Sequence, residues 1–128
     1  MNQLQASFKN RSKAEDAVCQ AFVKLGGLAG VDVNDGTGPT DLDADLIDAC
    51  YQSNFNDPHF LGGPCCFTYA TSQCQVDRIF EVASDVSTRL VTYIARHGNA
   101  EKKGAALEAV AVITQAKEWL TKVVAKSS

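Results

Sequence analysis

From Val76 to Val124 the apolar residues recur at every third or fourth position, with one interruption at Gly98-Asn99. That period restricts the last third of the chain to two amphipathic helices. In the first, spanning residues 74–97, the stripe is Val76, Ile79, Phe80, Ala83, Val86, Leu90, Tyr93, Ile94 and His97, while Arg78, Glu81, Asp85, Arg89 and Arg96 fall outside it. Gly98 is expected to end this helix in the left-handed conformation and Asn99 to cap the next with its side-chain oxygen, so the pair folds back antiparallel. In the second helix Leu107, Val110, Ile113, Leu120 and Val124 form the main stripe, with Val112, Ala116, Trp119 and Val123 beside it. Gly104, Ala105, Ala106 and Ala109 are small, which predicts a closely packed neighbour near residue 105.

Upstream the signals are shorter. Residues 1–11 are polar apart from Leu4 and Phe8 and read as a loose arm or an extra helical turn. Ser12-Lys13-Ala14-Glu15 matches a capping box and starts a helix whose buried spacing is Ala14, Ala17, Val18, Ala21, Phe22 and Leu25, with Cys19 just off it and Gly26-Gly27 as its stop. Residues 28–33 are aliphatic enough for a short strand before the turn-forming run Asn34-Asp35-Gly36-Thr37-Gly38-Pro39. Thr40 then caps a second helix, with carboxylates in its first turn and a buried face of Leu42, Leu46, Ile47, Cys50 and Tyr51. Residues 52–73, from Gln52 to Gln73, are broken by Asn56-Asp57-Pro58 and Gly62-Gly63-Pro64 into an irregular segment with a candidate strand at 66–70. The expected fold is mainly α, about four helices with a C-terminal antiparallel helical hairpin; the alternative is α+β, with a small sheet from the central segment.

A chain of 128 residues is expected to form a single domain that folds without disulfide or metal staples. It shows no charged-then-apolar leader and no run approaching the roughly 18 apolar residues of a membrane span, so no membrane association and a cytoplasmic location are expected, or a place within a virion if the protein is viral. Five cysteines without secretory context read as reduced thiols. Charge is strongly segregated. Between Lys24 and Arg78 there is no Lys or Arg, yet that interval holds Asp32, Asp35, Asp41, Asp43, Asp45, Asp48, Asp57 and Asp77. The flanks hold all 12 bases against the other seven acids, so a middle of −8 lies between ends that carry +5.

Each chemical constellation meets a plainer account. Asp32, Asn34 and Asp43 occupy the first, third and twelfth places of a calcium loop, but Gly36 stands where an oxygen ligand is needed and Asp43 is shorter than the bidentate Glu of that motif. Capping and turn chemistry explain the same residues. His59, Cys65, Cys66 and Cys74 include zinc ligand types, yet adjacent Cys65-Cys66 lack the knuckle spacing of structural zinc sites. A thiolate at Cys65 or Cys66 activated by His59, with Gly62-Gly63 amides as an oxyanion hole, is weakened by Pro64, which has no N–H to give. His97 sits at a helix end on the apolar face, as a core histidine or a partner of the helix dipole. Gly26-Gly27-Leu28-Ala29-Gly30 follows a helix, the reverse of the order in nucleotide-binding loops. Lys9, Arg11 and Lys13, then Lys117, Lys122 and Lys126, can meet nucleic-acid phosphates, but Glu15, Asp16 and Glu118 interleave with them as on an ordinary solvated face.

No catalytic, cofactor or metal residue is therefore assigned. The expected function is a non-enzymatic interaction or assembly protein that forms homo-oligomers through apolar helix faces, of the kind found among phage and viral structural or accessory proteins. Its acidic middle would match the basic end of a second copy. The rivals are a small Cys/His-dependent enzyme or metal-binding protein using His59, Cys65, Cys66 and Cys74, and a nucleic-acid-associated accessory protein.

Overall fold

The computed structural model describes residues 8–62 and 66–127, and they are mainly helical. Helices α1 (Arg11–Ala29), α2 (Ala44–Ser53), α3 (Cys66–Tyr69), α4 (Gln73–His97) and α5 (Ala100–Ser127) are joined by loops and one 3-10 turn, His59–Leu61. Among the described residues the β content is a single isolated bridge, Asp32 to Thr37, so neither expected strand forms. Residues 66–69 make a helical turn instead, and Leu28 and Ala29 belong to α1.

The hairpin is present. Gln73 at the start of α4 donates to Thr121 near the end of α5, which places the two helices antiparallel. Val76, Ile79, Phe80, Ala83, Val86, Leu90 and Ile94 are buried as the period requires. The N-terminus of α4 is a capping box, in which the Ser72 hydroxyl accepts the Gln75 N–H and the Gln75 side chain accepts the Ser72 N–H. At the hairpin turn Asn99 caps α5 by accepting the Lys102 N–H. Gly98 is extended (φ −107°), not left-handed. Its glycine identity answers to space, since a Cβ there would lie 2.8 Å from the Ile94 carbonyl oxygen.

The hairpin is not the hub of the fold. That place belongs to α1, which packs against α2, α3, α4 and α5. Asn10, not Ser12, is its N-cap, accepting the Lys13 N–H at 2.9 Å. Glu15 is instead turned to the backbone N–H of Phe67. The helix also runs past Gly26-Gly27 to Ala29, and Gly26 lies at a close approach of α1 to α2: a Cβ there would meet Cys50 Cβ at 2.7 Å. Gly30 (φ +90°) is the true stop. Its N–H bonds the Gly27 carbonyl and the Val31 N–H bonds the Gly26 carbonyl, a Schellman arrangement that needs the left-handed conformation. Cys19, expected just off the stripe, is fully buried.

In α5 the buried strip is Ala106, Ala109, Ile113, Ala116, Leu120 and Val124, so the small residues do face a close neighbour, α1. Two expectations fail here. Leu107 is 52 % exposed, and Gly104 faces open space. Of the N-terminal stretch, residues 1–7 lie outside the described residues, while Phe8 is buried with its ring edge-on to Trp119. One apolar core joins residues from all the helices except the short α3's solvent side. No helix of the described residues is long and apolar enough to cross a membrane.

Candidate functional site

The acidic middle is divided into two surfaces by what lies against it. On the first, the segment leading into α2 is held to α4 by Arg89, which donates to Asp45 at 2.9 Å and also to Asp43 and Asp85. The same guanidinium hydrogen bond holds the Asp45 carboxyl below its ordinary range. One turn along α4, Tyr93 donates to Asp41 at 2.7 Å, and that bond pushes the phenol pKa up. His97 stacks on Tyr93 with ring centroids 4.3 Å apart, its Nε2 3.5 Å from Asp41. His97 is thus at the surface rather than in the core. Asp41, Asp43, Arg89 and Tyr93, with Arg96 beside them, line a shallow cleft of about 250 Å³. Arg89 is saturated by carboxylates and the Tyr93 phenol is made a weaker acid, so these two groups are built to fasten α2's approach to the hairpin.

The calcium-like loop is resolved into separate duties. Asp32 accepts the Asn34 N–H, Asp35 accepts both the N–H and the hydroxyl of Thr37, and Asp43 is turned to Arg89. Among the described residues no three His, Cys, Asp or Glu side chains could hold a metal ion. Of the zinc or thiolate candidates, His59 is paired through Nδ1 with Asp57, and Cys74 is exposed in the first turn of α4. Cys65, Gly63, Pro64 and the Cys66 side chain lie outside the described residues.

The second surface is the outward side of α2. Its buried side is Leu46, Ala49, Cys50 and Ser53, together with Leu42 just before it, a face rotated by one position from the sequence expectation. Ile47 and Tyr51 are consequently only half-buried, and Phe55, one turn beyond Tyr51, is 60 % exposed. Ile47 and Tyr51 are four apart on α2, and Phe55 follows just beyond the helix end. The Phe55 ring stands edge-on to Tyr51 with centroids 5.1 Å apart. On the other side of Tyr51 lies the 30–39 loop, where Gly36 (φ +75°) brings its backbone so close that a Cβ would meet the Tyr51 ring at 3.2 Å. Gly38 packs on Ile47 in the same way. A shallow cleft of about 320 Å³ opens between these glycines and α2, with Ala44 and Asp48 on its rim.

The carboxylates of α2 and of the loop before it that are not held by Arg89 have neutral partners. Asp48 accepts the Gln52 amide, Asp35 accepts Thr37, and Asp32 accepts Asn34, all neutral donors. Among the described residues none of these three carboxylates is in an ion pair. The sequence reading placed Tyr51 on the buried face and did not single out Phe55. The i, i+4, i+8 spacing was the available signal, and choosing its side required knowing that the glycine loop covers only one edge of it. Comparison of this chain with protein-family models, with curated proteins and with solved structures gives no match.

Proposed function

We propose that this chain is a non-enzymatic interaction or assembly protein that self-associates. The observation that supports the reading is Phe55, 60 % exposed just beyond the end of α2 with its ring edge-on to the half-buried Tyr51, an aromatic side chain that the chain's own core leaves uncovered. Aromatic residues of this kind provide much of the affinity at protein interfaces because they cover a large area at little conformational cost. Apart from Leu107, the apolar stripes of α4 and α5 that the sequence suggested for this role are largely turned into the core, so the reading rests on the surface beside α2 instead. A phage or viral structural role would be one instance of such a protein.

The test is the mass of the purified chain by native mass spectrometry and by light scattering at high concentration and low salt. A concentration-dependent dimer or larger species is expected, and Phe55→Asp should return it to the monomer while leaving the helical circular dichroism unchanged. A parent protein that stays monomeric throughout overturns the reading.

A further inference from the structure

We draw no further inference here: the strongest candidate, the shallow apolar groove between α1 and α5 lined by Ala17, Ala21, Ala109 and Val112, carries nothing because nothing in the structure shows what covers it.

Discussion

Gly26 and Gly27 are adjacent in the same helix, and substitution by alanine should move stability in opposite directions. At Gly27 the position is exposed and a Cβ would meet nothing within 4 Å. Gly27→Ala therefore gains only helix propensity, about 0.5–1 kcal/mol, through the lower entropy of the unfolded chain. At Gly26 the same gain is opposed by Cys50, whose Cβ would lie 2.7 Å away and whose Sγ would lie 2.9 Å away. Ordinary contact begins at 3.4 Å, so α1 and α2 must separate by about 0.7 Å, the difference of 3.4 and 2.7. Cβ of Cys50 is anchored to its backbone and cannot rotate aside, and overpacking of this kind costs about 1–3 kcal/mol. The two substitutions should thus differ by about 1–3 kcal/mol, with Gly26→Ala the less stable. Urea unfolding followed by circular dichroism reads this as a shift of the midpoint at constant slope. If Gly26→Ala stabilises as much as Gly27→Ala, the close approach of α1 to α2 is not there.

Other outcomes follow from single groups. Burial, then the neighbouring Asp16 and Asp57, push the Glu15 carboxyl above its ordinary value against the opposing Phe67 N–H bond. A carboxyl raised in the folded state contributes stability that is fully present below its unfolded pKa and lost as pH rises through its folded pKa. Glu15→Gln, which can still accept the Phe67 N–H, should accordingly be more stable than the parent at pH 7 and lose that advantage near pH 4; an advantage that grows on acidification would refute the burial account. Burial pushes the Cys50 thiol up to about 12 while Cys74 is exposed. Alkylation at pH 8 with peptide mapping should modify Cys74 in the native protein and Cys50 only after unfolding, and equal rates at the two would contradict the packing described. Arg89→Gln removes the hydrogen bond that lowers Asp45, so the Asp45 carboxyl should move back up in an NMR titration. No movement would mean that the Arg89 cluster does not persist in solution.

The parts of the fold that sequence disclosed are those decided within one helix. α4 has a narrow apolar stripe flanked by charge, and its period alone identifies the buried positions. In α5 apolar residues surround much of the helix, so the period leaves the buried side open. The choice fell to Ala106, Ala109 and Ala116 because α5 packs against both α1 and α4, and Leu107 was left outside. Glycine misled for a related reason. Gly26 looks like a stop and is a contact, while Gly30, four residues later, is the stop. Pairings such as Arg89 with Asp43 and Asp45 join residues more than forty positions apart and leave no local trace, so the apparent isolation of the acidic middle is partly undone inside the same molecule. Ile47, Tyr51 and Phe55 were visible as a spacing, but their exposure depends on the loop that stops at Tyr51.

The close packing of α1 with α5, and of Phe8 with Trp119, has a consequence for how the chain is made. The helix that touches every other helix is synthesised well before α5, the partner it packs against most extensively. Until α5 follows, the growing chain holds Ala17 and Ala21 without Ala109 and Val112, the side chains that face them across the shallow α1–α5 groove. This part of the core closes only once α5 is available, so a truncated product lacking α5 would leave α1 open to any apolar surface it meets.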